Sequence, residues 1–380
     1  MKKSSGVTEL SNNIDLKKHN KNRIFRFLYH NEPLSKQDIA YSLQMSLPTV
    51  SQNLKELSEQ NLIVEHGLFD STGGRKAKAI SFNRDATFSI GLDITRNHIG
   101  IVVVNLGGEV ILHERLRKKF SNSEEYFREL GALIDNRVSS LKIDPEKIYG
   151  VGIAVPGIIS KDMRKVVYSP VLGFTGGTLD CFSQYISYRC TLCNDANAAG
   201  FAELWKSNNA SNVVYLSLSD SVGGSILIDN KIYSGENERS GEFGHMTIVP
   251  NGRLCYCGEK GCVDAYCSAH ILSDSADGNL SKFFDLVRAG SEPHKAIWQE
   301  YLYYLSIAIN NLRMLFDCKV IVGGYVGSYM DQYIDLLKNI VEQRNTFEKD
   351  SSYVEVCQYK LESIAVGAAL MHIDQFINGI

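Results

Sequence analysis

The chain has 380 residues, of which 44% are hydrophobic and 22% charged, with a formal net charge of -3 and nine cysteines. This length supports two or three domains with a sizeable core, and the composition excludes a disordered or low-complexity chain. No uncharged apolar run is long enough to span a bilayer, the polar start reads as no signal peptide, and the odd cysteine count argues against a disulfide framework, so a soluble, cytoplasmic protein is expected.

The charge is unevenly distributed. Residues 1–85 carry 13 basic against 9 acidic side chains, whereas the remainder carries 27 against 34. A polyanion would therefore meet the N-terminal segment. There, apolar residues from Leu16 to Tyr29 among lysines and arginines predict an amphipathic helix. Ser35 can cap a second helix to Leu43, and Ser46 a third, with Pro48 in its first turn. Val50, Leu54 and Leu57 form the apolar face of this third helix. Ser46, Thr49, Ser51, Gln52, Asn53 and Lys55 offer short, amide or cationic groups able to reach base edges and phosphates. Two strand-like runs, Leu62–Glu65 and Ala79–Phe82, flank a flexible basic tip with Arg75, Lys76 and Lys78. Three helices followed by a basic hairpin predict a winged helix-turn-helix, mainly α with a β wing, that binds double-stranded DNA through its third helix and wing. The competing reading is a small helical interaction domain with a solvated tip.

Beyond the short link at 83–87, strand patterns dominate: 89–94, 99–104 and 148–155, with a helix over Tyr126–Ser140. The pattern recurs as a strand over Asn212–Leu218, a turn at Val222-Gly223-Gly224, a strand over Ser225–Asp229, helices around 295–316, and a strand over Lys319–Val322. An α/β body of two lobes around a cleft is expected. Cys190 and Cys193 form an isolated C-x-x-C, read as packed thiols in preference to a redox pair.

The densest chemistry lies at 242–264. His245 with Cys255, Cys257 and Cys262 offers one imidazole and three thiolates to a tetrahedral metal, read as structural zinc because four protein ligands leave no open coordination position. Glu242 precedes the histidine and Asp264 follows the last cysteine, so the metal would fix two carboxylates in space.

Val155-Pro156-Gly157, Asn194-Asp195-Ala196-Asn197, Gly241-Glu242-Phe243-Gly244-His245, the cysteine knuckle, Gly323-Gly324 and Val366-Gly367-Ala368-Ala369 together resemble the ROK family of sugar kinases and sugar-responsive repressors. The N-terminal segment is similar to its repressor branch, which includes xylose and N-acetylglucosamine repressors. The resemblance implies an actin-like (ribonuclease H-like), two-lobed ATPase-type fold over 86–380. Lobe one would be about 86–200 plus a C-terminal helix at 363–380, and lobe two about 201–362, carrying the knuckle at 245–262. It also implies a monosaccharide effector held by Asn194, Asp195, Glu242, His245 and Asp264, and a homodimer or dimer of dimers on an operator. Asp264 stands where the family usually carries glutamate, and Val171 where many members carry asparagine, so the sugar itself is not specified. Asn194 and Asp195 can also be read as a strand-to-helix cap.

In the kinase branch Asp195 would be the general base for phosphoryl transfer. Here, however, the family's first phosphate loop becomes Asp93-Ile94-Thr95-Arg96-Asn97 and its second Ser219-Asp220-Ser221-Val222-Gly223. Glycines that admit phosphate are replaced, and Asp220 would repel it. A sugar-sensing repressor without enzymatic activity is therefore expected. An ATP-dependent sugar kinase bearing a DNA-binding domain and a regulator controlled by protein docking are the alternatives.

Overall fold

The computed structural model describes the backbone of residues 5–68, 78–207 and 212–380, with side chains over 17–67, 78–207 and 212–380. The first helix, α1 (Ser5–Asn31), is much longer than the stretch predicted from its apolar pattern. Ile24, Phe25 and Leu28 recur at helical spacing and are fully buried. Ser35 caps α2 (Lys36–Leu43) in a capping box: its Oγ accepts from Asp38 N at 3.2 Å, while Asp38 Oδ2 accepts from Ser35 N at 3.0 Å. Ser46 caps α3 (Leu47–Glu59), which buries Val50, Leu54 and Leu57. Asn53 departs from the expected exposed face. It is 3% exposed and donates to Thr49 O at 2.8 Å, because its position one residue before Leu54 turns it into the core edge. Strands β1 (Ile63–Leu68) and β2 (Lys78–Phe82) pair antiparallel as the wing's base.

The body contains two sheets of matching topology. The first uses β3 (Phe88–Ile94), β4 (His98–Asn105), β5 (Val110–Arg117), β6 (Ile148–Val155) and β9 (Cys190–Asn194) in the order β5-β4-β3-β6-β9. A small hairpin, β7 (Ile158–Ile159) with β8 (Val166–Tyr168), lies between β6 and β9 in sequence. The second sheet uses β10 (Val213–Leu218), β11 (Val222–Ile228), β12 (Lys231–Ile232), β13 (Lys319–Gly323) and β14 (Val354–Val356) in the order β12-β11-β10-β13-β14. In each, the first three strands in sequence pair antiparallel and the last two join in parallel. The expected turn at Val222-Gly223-Gly224 is instead the start of β11. Gly224 lies there because Phe243 packs where its Cβ would be, 2.3 Å from the ring edge.

Period-two alternation in β3 sends Ile90, Leu92 and Ile94 toward α4 (Glu124–Ser140), whose Tyr126, Phe127, Leu130 and Ile134 complete that core. The opposite face receives the C-terminal helix α13 (Ser363–Gly379) at backbone contact. A Cβ on Gly91 would lie 1.7 Å from Ala365 O, and one on Gly152 2.1 Å from Ala368 O. α13 also crosses α6 (Asp195–Lys206), where a Cβ on Gly367 would meet Ala198 O at 1.7 Å.

The N-terminal unit is fastened to this assembly. One continuous apolar cluster joins Ile24, Phe25, Leu28 and Phe82 to Val104, Ala369, Leu370 and Ile377. Tyr29 stacks on Phe82 (centroids 4.7 Å apart), meets Trp205 edge-on, and donates to Leu106 O at 3.0 Å. Glu32 accepts from Arg84 Nη2 at 2.6 Å and from Phe82 N at 2.9 Å. Among the described residues, no helix is long and apolar enough to cross a membrane.

Candidate functional site

The cleft chemistry begins where β9 runs into α6. Asn194 is the helix cap: its Oδ1 accepts from Asn197 N at 2.8 Å, and its Nδ2 donates to Gly157 O and to Asp195 Oδ1, both at 3.0 Å. The amide is thus fully engaged, and it orients its neighbour. Asp195 Oδ1 also accepts from Ala196 N at 2.9 Å, leaving Oδ2 as the carboxylate atom without a hydrogen bond among the described residues. Burial pushes the Asp195 pKa up to about 6 against the pull of the Ala196 N–H, with the negative charge of Glu242 adding to the rise.

Asp264 is 6% exposed and turns one oxygen inward, where Oδ2 accepts from Val222 N at 2.7 Å. It thereby ties α7 (Asp264–Cys267) to the start of β11. Burial raises its pKa, opposed by that N–H.

The knuckle folds by short-range backbone bonds. Cys255 N donates to Glu259 O at 2.8 Å, Gly258 N to Cys255 O at 3.0 Å, and Gly261 N to Arg253 O at 2.8 Å. Gly261 adopts φ 83°, and a Cβ there would strike Val249 O at 1.8 Å, so glycine is required. The Arg253 guanidinium and Glu300 on α10 (Glu292–Phe316) brace the loop at 2.9 Å. His245, Cys255, Cys257 and Cys262 bring their ligand atoms within 4.8 Å of one another. Cys257 Sγ and Cys262 Sγ are 3.9 Å apart, and Cys255 Sγ lies 4.0 Å from His245 Nδ1. A tetrahedral ion bonded to sulfur at about 2.3 Å separates sulfurs by about 3.8 Å, so the cluster fits a metal through these four atoms. Cys190 and Cys193 are buried, and burial drives both thiols upward, Cys190 to about 12, which makes them packing residues.

Two residues that sequence reasoning did not single out link the two halves of the body. Arg115 on β5 donates from Nη2 to the Tyr325 hydroxyl at 3.2 Å and lies 5.4 Å over its ring. Tyr325 belongs to α11 (Gly324–Gly327), directly after Gly323-Gly324, and its N donates to Ser219 Oγ at 3.4 Å. The contact therefore spans the two sheets, among the residues of both loops. Neither side chain belongs to a motif, so the sequence carried no local signal of it. Arg96 is held elsewhere, on Val171 O at 3.1 Å. Asp93 is 7% exposed, and its Oδ1 is buried without a partner. Burial, then the Asp195 charge, push its pKa up to about 7, with Arg115 opposing. Because folding raises this pKa, the stabilising contribution is full below about pH 4 and is lost as pH rises through about 7. Asp93→Asn is accordingly expected to gain stability relative to wild type at pH 8.5 but not at pH 4, by on the order of 1–3 kcal/mol in denaturant melts.

On the helix-turn-helix, Ser46 Oγ accepts from Thr49 N at 3.3 Å and pairs with Thr49 Oγ1 at 2.8 Å, so both residues are engaged in the cap. Gln52 and Lys55 are exposed, Ser51 is half-buried, and Lys55 lies 3.7 Å from Glu59. Tyr41 and Leu47, at 88% and 49% exposure, stand in solvent near the turn into α3. Lys78 pairs with Glu65 at the base of the wing. Arg75 and Lys76 lie outside the described residues.

Comparison with known proteins gives a consistent picture. The ROK family model matches residues 89–375. The xylose repressor of Bacillus subtilis (strain 168) is 27% identical over 98% of this chain and 99% of its own length. The DNA-binding transcriptional dual regulator NagC of Escherichia coli (strain K12) is 24% identical over 66% of this chain and 63% of its own. Among solved structures, a ROK family transcriptional regulator, a homologue of the E. coli MLC protein, superposes with TM-score 0.78 at 20% identity, covering 96% of this chain and 97% of that one. A ROK family glucokinase from Streptomyces griseus, in complex with glucose and AMPPNP, gives TM-score 0.63 at 23% identity, covering 75% of this chain and 98% of that one.

Proposed function

The chain belongs to the ROK family, and from that footing we propose that it is a sugar-responsive DNA-binding repressor of carbohydrate genes, with xylose-type monosaccharides as its first candidate effectors. The observation that carries this reading is the continuous path from cleft to DNA-binding unit. Asp195 stands at the first position of α6, α6 crosses α13 at backbone contact, and α13 shares a core with α1. A sugar that alters the lobe angle at Asp195 would move the helix-turn-helix as a body.

Residues 1–85 form the DNA-binding domain and 86–380 the sugar-binding domain. Thr49, Ser51, Gln52 and Lys55 read the operator from α3, with Ser46 shaping its start, and Arg75, Lys76 and Lys78 follow the adjacent phosphates or minor groove. A homodimer would present two such units to a pseudo-palindromic site. The sugar lies against Asp195 Oδ2, Glu242, His245 and the remaining oxygen of Asp264, while Asn194 orients Asp195. Zinc is the metal that suits one imidazole and three thiolates, and it would hold His245 and the knuckle against these carboxylates. The cross-lobe Arg115–Tyr325 contact and the altered loops support binding without phosphoryl transfer. Release of the operator needs tighter sugar binding to the DNA-incompetent state; a 100-fold loss of DNA affinity corresponds to about 2.7 kcal/mol of coupling.

Thermal denaturation with a monosaccharide panel tests this. One sugar should raise the melting temperature, and Mg-ATP should add nothing. A shift with Mg-ATP, or sugar-dependent ATP consumption, would instead establish a kinase.

A further inference from the structure

We propose that Tyr256 competes with the sugar for His245 and so sets its affinity: its hydroxyl holds the outer ring nitrogen of His245 in the sugar-free protein and must be displaced by a hydroxyl of the incoming sugar. This rests on the sugar-sensing reading above and deepens it. Tyr256 stands between two knuckle cysteines, and its hydroxyl lies 3.2 Å from His245 Nε2, with the two rings edge-on at 5.4 Å. The opposite nitrogen, Nδ1, is the one that faces Cys255 Sγ. With Nδ1 directed to the metal, Nε2 carries the proton and donates it. One ring N–H makes one good in-plane hydrogen bond, so Nε2–H cannot serve the phenol and a sugar hydroxyl equally.

The phenol is also easy to move. Tyr256 is 64% exposed and Leu254 in the same loop 68%, so the ring gains little from burial where it stands. A sugar with a hydroxyl directed at His245 replaces one hydrogen bond by another. A deoxy analogue lacking that hydroxyl leaves the phenol in place and loses the contact. Removing the phenolic oxygen should therefore tighten binding of the hydroxylated sugar, because no existing bond is then exchanged.

The test is calorimetric titration of zinc-loaded wild type and Tyr256→Phe, at metal contents matched by elemental analysis, with D-xylose, D-glucose, N-acetylglucosamine and their deoxy analogues. The expected result is one sugar binding wild type, and binding the variant about 3- to 10-fold tighter, as one net hydrogen bond implies. Wild-type binding with equal or weaker affinity in Tyr256→Phe overturns the displacement and leaves the sensor reading intact. Silence of both proteins across the panel overturns both. Should the variant lose its zinc, long-range proton–nitrogen spectra of histidine-labelled wild type decide the matter. The His245 Nε2 resonance moves on sugar addition if the phenol is displaced, and an unmoved resonance in the presence of bound sugar rejects the proposal.

Discussion

Cys262→Ser should abolish metal binding at the knuckle, lower the stability of the second lobe by at least about 3 kcal/mol, and weaken sugar binding more than tenfold while operator binding persists. Cys262 is 1% exposed, its sulfur lies 3.9 Å from that of Cys257, and Asp264 follows two residues later. Without a metal, the buried Cys262 thiol and the exposed Cys257 thiol would lack an ion to favour their thiolate forms, and the loop would lose the closure that its backbone bonds alone supply weakly. Because Val222 N depends on Asp264 Oδ2, the disturbance should reach the first residue of β11. The helix-turn-helix core lies on the other lobe, against α13, and should be spared. Elemental analysis, thermal melts and calorimetry read the three effects; an unchanged melting temperature after chelation would show that no structural metal is present.

The second large effect is expected at Asp195. Asp195→Asn keeps the shape of the side chain and an oxygen for the Ala196 N–H, but removes the charge that a sugar hydroxyl would donate to. Hydrogen bonds to charged groups are worth about 1.5–3 kcal/mol, which predicts a loss of sugar affinity on the order of 10- to 100-fold. Stability should move the other way. Burial and Glu242 hold the Asp195 pKa up to about 6, and the Asp195 charge in turn adds to the rise of the Asp93 pKa, so neutralising Asp195 relieves both above pH 7. A variant more stable than wild type yet poor in sugar binding separates a ligand contact from a structural role. Equal loss of stability and binding would mark Asp195 as part of the scaffold alone.

The sequence signals that proved reliable were those with dense local grammar. Ser35 and Ser46 cap helices because serine followed by an apolar period competes well for the free N–H groups. The cysteine spacing brought four ligand atoms together because glycines at 258 and 261 take the left-handed turns the knuckle needs. The recurrence of strand patterns appears as two sheets of the same order. Long-range choices were not legible. Asn53 reads as polar and exposed, yet tertiary packing buries it against Thr49 O. Glycines at 223 and 224 read as a turn, whereas both lie in β11, where Gly224 lets Phe243 pack on the strand. Arg115 and Tyr325 are 210 residues apart, and only the closing of the two lobes makes them neighbours. Asp264 reads as a sugar carboxylate, but its short side chain also reaches a backbone N–H that no motif encodes.

On the proposed function, a sugar in the cleft releases DNA without nucleotide. The most direct test is fluorescence anisotropy of a labelled duplex, selected by the protein itself from random sequence, titrated at fixed salt with the full zinc-loaded chain and then with D-xylose, D-glucose and N-acetylglucosamine, with and without Mg-ATP. One sugar should lower the apparent affinity of wild type by on the order of 100-fold, with no effect of Mg-ATP and little response in Asp195→Asn. Duplex binding that is indifferent to every sugar, or that responds only when Mg-ATP is present, would contradict it.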